Sequence, residues 1–189
     1  VAQRYMESFD RARAERRHFT APGFTVKALD ERPGELPPLK LDHLRHMTDE
    51  TGILQHAIFM VPNYREGYTT DDNARALMVS ALLEELGNVE AFELASRYLA
   101  FIWYAFNTET GRFRNFMDYQ RHWREDSGSD DSHGRALWAL GTVLGRSSTP
   151  ALPSMAGRLF EQALPAILVT TSPRAWAFAL IGIHEYLRR

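Results

Sequence analysis

The chain has 189 residues, of which 44% are hydrophobic, and its formal net charge is −2. This composition can form a packed core, and it shows no excess of positive charge for nucleic acid. Cysteine is absent, which excludes disulfide bonds and a thiolate nucleophile, and no apolar run reaches the ~18 residues of a membrane span. We therefore expect a cytoplasmic protein that binds neither nucleic acid nor membrane.

The N-terminal part divides into a helix and a linker. Residues 2–18 are rich in charge and in helix formers, and their apolar side chains recur at a spacing of three or four, which predicts a helix with a narrow apolar stripe made of Ala2, Tyr5, Phe9 and Ala12. Residues 19–38 carry four prolines and two glycines. Because proline fixes φ and removes a backbone donor, we predict a linker here and a second domain over residues 39–189.

Helical patterns dominate the second domain. Residues 51–63 are rich in β-branched and aromatic residues and are compatible with extended chain, whereas residues 107–130 form a long polar and aromatic connection. We expect Gly87 and Gly145 to end two of the helices and Pro173 to lie in the first turn of the last one. The apolar periodicity predicts helices over residues 39–49, 72–86, 89–106, 131–145, 151–169 and 173–188.

Three of these helices share a sequence repeat. The segments RALMVSALL from Arg75, RALWALGTVL from Arg135 and RAWAFALIGI from Arg174 are apolar almost all round, and more amphipathic helices separate them. Alternation of covered and half-exposed helices predicts an all-α fold, an α-α hairpin array with inner and outer helices. The irregular spacing of the repeats favours a closed α/α toroid with elaborated loops over a short-period solenoid.

The chain is long enough for only about half of an (α/α)6 toroid. Half a toroid leaves its inner helices uncovered on one flank, which would expose a large apolar surface. We therefore expect either a truncated chain, whose missing C-terminal half covers that flank, or self-association.

Paired carboxylates stand at the predicted start of two inner helices, Asp71 and Asp72 in one and Asp130 and Asp131 in the other. An aspartate there can cap the helix by accepting backbone N–H bonds. One aspartate suffices for a cap, however, and a second carboxylate beside it raises a pKa, while an arginine one turn later, Arg75 or Arg135, can keep one carboxylate ionised. Such a separation of an acid from a base is what glycosidic bond cleavage requires.

The connection 107–130 supplies aromatic and basic side chains that suit a sugar surface, namely Phe113, Arg114, Phe116, Tyr119, Trp123 and Arg124. These aromatics are equally compatible with simple anchoring of a long loop. His133 could bond a substrate hydroxyl or could be a structural histidine. His43 and His46 have a metal-like spacing without a third ligand, and the chain has no phosphate-binding glycine loop, so we predict no metal and no cofactor.

Two long segments carry a family resemblance: DHLRHMTDETGILQHAIFMVPNYREGYTTDDNARAL and FRNFMDYQRHWREDSGSDDSHGRALWAL. Over residues 40–189 the chain resembles a six-hairpin, glycosidase-like α/α-toroid domain found C-terminal to bacterial group 1 (retaining, GT-B type) glycosyltransferases. The resemblance implies that residues 1–18 are the tail helix of the preceding transferase, that residues 19–38 are the interdomain linker, and that the other half of the toroid lies beyond Arg189. The functional positions that it implies are Tyr68, Asp71, Asp72, Asn73, Arg75, Asp130, Asp131, His133 and Arg135.

Two hypotheses follow. In the first, the domain binds and hydrolyses or trims a glycan made by an attached transferase, with Asp72 and Asp131 as the acid/base pair and Asp71 and Asp130 as helix caps. Alignment on the arginines instead matches Asp71 with Asp131, so the assignment within each pair stays open. The residues expected to orient the carboxylates or hold sugar are Tyr68, Asn73, Arg75, Trp123, His133 and Arg135. In the second, the domain is a non-catalytic glycan-binding or scaffolding module of a glycosyltransferase.

Overall fold

The computed structural model describes residues 2–16 and 39–188, and the chain divides into two compact units, Val1–Leu39 and Lys40–Arg189. The first unit contains helix α1 (Ala2–Arg16), in which Met6 and Phe9 are exposed. A helix was expected over residues 2–18, and α1 is that helix. The predicted linker, residues 19–38, lies outside the described residues.

The second unit is mostly helical, which confirms the all-α class. Its helices are α2 (Asp42–His46), α3 (Thr70–Glu85), α4 (Ala91–Ala105), α5 (Asp130–Arg146), α6 (Ala151–Ala163) and α7 (Pro173–Tyr186), with a 3₁₀ helix at Leu164–Val169. In the described part of the chain no helix is both long enough and apolar enough to cross a bilayer. Each helix predicted from apolar periodicity is present. The one expected over residues 151–169 divides at Leu164, next to Pro165, because proline disrupts an α-helix.

Three short antiparallel strand pairs connect the helices. Strand β1 (Ala57–Ile58) pairs with β2 (Val61–Pro62), so the extended chain expected at residues 51–63 contains a tight hairpin. Strand β3 (Tyr68–Thr69), directly before α3, pairs with β6 (Phe116–Met117). Strand β4 (Phe106–Asn107) pairs with β5 (Arg112–Phe113). Two of these pairs organise the long connection 107–130 and fasten it against the start of α3.

Hydroxyl groups cap the three helices of the repeat. The side chain of Thr69 accepts the Asp72 amide, that of Ser129 accepts the Ser132 amide, and that of Ser172 accepts the Ala175 amide at the starts of α3, α5 and α7. The prediction that Asp71 and Asp130 are the caps is therefore wrong. A hydroxyl one or two residues earlier already satisfies the free amides, which leaves both carboxylates available for other partners.

Helices α3, α5 and α7 lie side by side and run in the same direction. Arg135 near the start of α5 pairs with Asp71 near the start of α3, and Arg146 at the end of α5 pairs with Glu85 at the end of α3. Helices α4 and α6 pack on α3 and α5 and run the opposite way. The Ala105 carbonyl at the end of α4 accepts the Arg114 amide, and the Arg114 carbonyl accepts the hydroxyl of Thr70 at the start of α3. His133 near the start of α5 likewise contacts Ala163 at the end of α6. The starts of all three repeat helices therefore meet at one end of the second unit.

Glycines let α5 and α7 approach closely. A Cβ added at Gly134, Gly141 or Gly145 would lie within 3.0 Å of a backbone oxygen of α7. Gly145 was expected to end its helix, and that prediction is wrong, since α5 continues to Arg146. Its role is the approach to Glu185. Gly87, by contrast, follows the end of α3 with φ of 83°, a left-handed conformation that suits glycine, as predicted.

The core contains buried side chains from α3 to α6, with Leu77, Leu99, Ile102, Leu137 and Phe160 among them. Helix α7 differs, because its face away from α5 exposes apolar side chains. These are Trp176, Leu180 and Ile181, and Leu187 directly after the helix is exposed as well. An exposed apolar surface of this kind is typical of an interaction surface.

Candidate functional site

The carboxylate of Asp71 joins two helices. It pairs with Arg75 of its own helix and with Arg135 of α5. Asp72, the next residue, accepts the Thr69 hydroxyl at 2.6 Å and the Arg75 guanidinium at 3.0 Å. Asp72 and Thr69 thus form a reciprocal cap at the start of α3, while Asp71 makes the cross-helix contact.

In the second acidic doublet, by contrast, both carboxylates have partners outside their own helix. Asp131 pairs with Arg174 of α7 and accepts the Ser172 hydroxyl at 2.9 Å. Asp130 pairs with Arg112 of the connection at 2.8 Å and accepts the Thr171 amide at 3.2 Å. Of the two arginines expected to hold one carboxylate of their own doublet, Arg75 contacts Asp71, whereas Arg135 contacts Asp71 of α3 rather than Asp131.

Asp71 and Asp131 occupy equivalent positions. Each is the second residue of its helix, and each contacts an arginine of the next helix in the parallel row. The alignment on the arginines, which matches these two aspartates, therefore describes their structural equivalence. Asp72 and Asp131, the proposed acid/base pair, are not equivalent to each other.

Arginine contacts determine the ionisation of the second doublet. The hydrogen bond from Arg112 lowers the pKa of Asp130 below its usual range, and the hydrogen bond from Arg174 does the same for Asp131. We expected adjacent carboxylates to raise a pKa, and for this pair the expectation is wrong. Each carboxylate has its own cation, whose attraction outweighs the repulsion between neighbours. Both are ionised at neutral pH.

An aromatic surface lies beside this ionic network. The guanidinium of Arg135 lies 4.5 Å from the centroid of the Phe178 ring, and Phe178 stacks on Trp138 with centroids 5.6 Å apart. Both rings are partly exposed. Sequence reasoning missed Trp138 and Phe178, together with Arg112 and Arg174. The repeat marked Arg174 as the third arginine, but it did not show that this side chain reaches Asp131.

Three of the predicted sugar-binding residues, Tyr68, Asn73 and His133, are buried in the protein. Tyr68 is buried and its hydroxyl donates to Asp49 at 2.5 Å, and burial raises its pKa above the usual range. The Asn73 amide group bonds the Ile53 amide and the Thr69 carbonyl, which fastens the preceding loop to α3. Each of these side chains is enclosed by protein in this arrangement.

His133 is enclosed as well. Its side chain is fully buried, its Nε2 lies 3.2 Å from the Ala163 carbonyl, and its Nδ1 is buried without a hydrogen-bond partner. Burial lowers the pKa of His133 to about 4, so the ring is neutral at pH 7. A neutral, buried imidazole with a carbonyl partner fits the structural alternative for this residue.

The aromatics of the connection divide by exposure. Phe113 is buried beside His133, whereas Phe116 and Tyr119 are exposed and Tyr119 stacks on Tyr64 with centroids 4.7 Å apart. Trp123 is partly exposed and contacts other aromatic rings. The exposed rings lie near the start of α3, because Phe116 pairs with Thr69.

Metal-binding side chains do not form a cluster among the described residues. Within residues 2–16 and 39–188, no group of three histidine or acidic side chains is arranged to hold an ion. No family model matches the chain, and no curated protein matches it either. Evidence for the function of the site therefore comes from its own residues.

Proposed function

We propose that the second unit is a non-catalytic glycan-binding module, built as about half of an α-α hairpin toroid, whose site lies where α3, α5 and α7 begin. The observation that carries the proposal is the row of arginine–aspartate pairs beside the stacked rings of Phe178 and Trp138. The fold part rests on the parallel row of α3, α5 and α7 with α4 and α6 packed outside it.

The two kinds of side chain suit the two surfaces of a sugar. Aromatic faces pack against the apolar C–H face of a pyranose ring, while carboxylates and guanidinium groups accept and donate to its hydroxyls. Asp71, Asp131 and Arg135 are all partly exposed, and ion pairs already hold them in position, Asp71 with Arg135 and Asp131 with Arg174. Such preorganised polar groups reduce the entropy that binding must offset.

Ionisation favours binding over hydrolysis. A glycosidase needs one carboxyl group that keeps its proton until it transfers it to the leaving oxygen, which requires a raised pKa. The pKa values of Asp130 and Asp131 are lowered instead, and Asp72 is engaged by Thr69 and Arg75. The resemblance to domains that follow glycosyltransferases supports a glycan as the ligand and an attached transferase as its source.

A glycan array followed by calorimetry with the selected oligosaccharide tests the proposal. We expect binding that Phe178→Ala and Arg135→Gln each weaken at least tenfold. Trp103, an exposed aromatic of α4, and Arg158, an exposed arginine of α6, provide matched controls. Trp103→Ala and Arg158→Gln should leave the affinity unchanged.

Two results would contradict the proposal. The first is the absence of any oligosaccharide ligand, or binding that Phe178→Ala and Arg135→Gln do not change. The second is release of sugar that Asp131→Asn abolishes while the circular dichroism spectrum stays the same. That second result would establish the hydrolytic hypothesis in place of the binding one.

A further inference from the structure

A separate groove of about 410 Å³ lies between α4 and the turn that follows β6. Its volume falls within the range of small-molecule sites. The residues that form it include Glu50, Arg97, Phe101, Tyr104, Met117 and Arg121. Neither the repeat nor the acidic doublets contribute to it, so it is distinct from the proposed glycan site.

Aromatic rings form one wall of the groove. Phe101 is buried at its base, and Tyr104, one turn later on α4, is 57% exposed. Trp123 packs behind both rings, with its centroid 5.6 Å from that of Phe101 and 5.4 Å from that of Tyr104. Packing on Trp123 holds Tyr104 in place, so its exposed surface is available to a planar ligand.

The groove also carries uncompensated positive charge. Among the described residues the Arg121 guanidinium has no ion pair and no hydrogen-bond partner. Arg97 has only a 3.3 Å contact with Glu93, whose side chain is 80% exposed, and such surface pairs are weak. Glu50 is the acid that lines the groove. The two glutamates beside the groove, Glu50 and Glu93, balance the two arginines in number, but because Arg121 pairs with neither, its guanidinium is available to bind an anion.

The backbone of Arg121 is strained. This residue closes the turn between Asp118 and His122 with φ of 69°, a left-handed conformation that glycine and asparagine adopt much more readily. Strain of this kind persists in proteins chiefly where a side chain has a function. The turn itself would tolerate glycine, so its conformation does not explain why an arginine is present.

We propose that this groove binds a small aromatic anion, with its ring against Tyr104 and its carboxylate or phosphate between Arg97 and Arg121. The arginine fork matches the planar oxygens of either anion, and the aromatic wall selects a ligand that also has a flat apolar part. Aryl carboxylates and aryl phosphates share this chemistry.

Titration calorimetry of the whole chain with phenyl phosphate and with benzoate tests the proposal. We expect at least one of the two to bind, and Arg121→Gly to weaken that binding at least tenfold. Glycine suits the left-handed φ, so this variant should melt at the same temperature as the wild type or higher, and loss of binding cannot be attributed to misfolding. Arg97→Gln should also weaken binding, whereas Arg158→Gln on α6 should not.

Inorganic phosphate and phenol separate the two parts of the ligand. We expect each to bind at least tenfold more weakly than phenyl phosphate. Equal binding of phenol would show that charge is irrelevant, and equal binding of inorganic phosphate would show that the aromatic wall is irrelevant. Either result would overturn the proposal, as would unchanged affinity in Arg121→Gly or the failure of both probes to bind.

Discussion

Arg135 of α5 forms an ion pair with Asp71 of α3, so that two helices far apart in the sequence are joined at their first turns. The same two helices are joined again at their last turns by Arg146 and Glu85, 3.1 Å apart. Because one contact lies at each end, the pair of helices is held parallel and in a fixed register. The position of Asp71 in the candidate site depends on this register.

Disruption of this pair should lower stability. We expect Asp71→Asn and Arg135→Gln each to reduce the free energy of unfolding by about 1–2 kcal/mol, because both side chains are partly buried; Asp71→Asn leaves Arg135 without its ionic partner, whereas Arg135→Gln leaves Asp71 with Arg75 alone. The double variant should cost less than the sum of the two. Urea unfolding of the wild type, the two single variants and the double variant measures the interaction energy between the two side chains. Strict additivity would show that the two side chains do not interact in solution.

Protonation of His133 should destabilise the protein on mild acidification. Its pKa is lowered from 6.5 to about 4, chiefly by burial and also by nearby Arg112, against a smaller opposing effect of Asp130. Between these pH values the unfolded chain takes up a proton that the folded chain excludes. Stability is therefore complete above pH 6.5 and should fall by up to about 3 kcal/mol as the pH decreases to 4.

Urea midpoints between pH 7 and pH 4 measure this effect. His133→Gln should flatten the pH dependence even if it lowers stability at every pH. His56 is exposed, and His56→Gln should leave the slope unchanged. A slope that persists in His133→Gln would assign the effect to other groups.

The second acidic doublet should also make stability depend on pH, in a lower pH range than His133 does. The folded pKa values of Asp130 and Asp131 lie below the ordinary 3.8, so the folded protein binds fewer protons than the unfolded chain. Their stabilisation is present above about pH 4 and is lost as the pH falls below it. At pH 7, Asp130→Asn should reduce the free energy of unfolding by about 1 kcal/mol, and at pH 3 the difference should shrink. Asp126→Asn, at an exposed loop position, serves as the control.

Glycine should be essential at Gly141 and dispensable at Gly157. A Cβ at Gly141 would collide with the backbone of Gly182, so Gly141→Ala should separate α5 from α7 and cost about 2–4 kcal/mol. A Cβ at Gly157 would meet only the flexible end of Leu144, at 3.3 Å. Gly157→Ala should be neutral or stabilise by up to about 1 kcal/mol, because alanine favours helix. Thermal melts compare the two, and equal effects would refute the role of close packing.

The helices could be predicted because their signals are local. Apolar periodicity located α3 to α7 to within a few residues, and Gly87 and Pro173 marked an end and a start through their own backbone preferences. The function of Gly145 could not be predicted in the same way. Its requirement comes from Glu185 of another helix, and no local pattern reveals that contact.

The sequence predicted that the two acidic doublets lie at one end of the helices, but it did not predict which side chains contact them. The two acidic doublets were expected near one another, and Arg135 does join their helices, although the sequence had assigned it to Asp131 of its own helix. The partner of each charge depends on distances between helices, so the Asp131–Arg174 and Asp130–Arg112 pairs were not foreseen. Burial of Tyr68, Asn73 and His133 was missed for the same reason, since a polar side chain in a sequence does not show what packs over it.

The parallel row of α3, α5 and α7 has an electrostatic consequence. Peptide dipoles in parallel helices point the same way, so three partial positive charges gather at one end of the row and three partial negative charges at the other, an arrangement that repels itself. Asp71, Asp72, Asp130 and Asp131 lie at the positive end, and Arg146 lies at the negative end between Glu85 and Glu185. The acidic doublets thus lie where the dipoles favour negative charge. Because arginines pair with all four carboxylates, an uncharged ligand at this end meets a surface of ordered dipoles with little net charge.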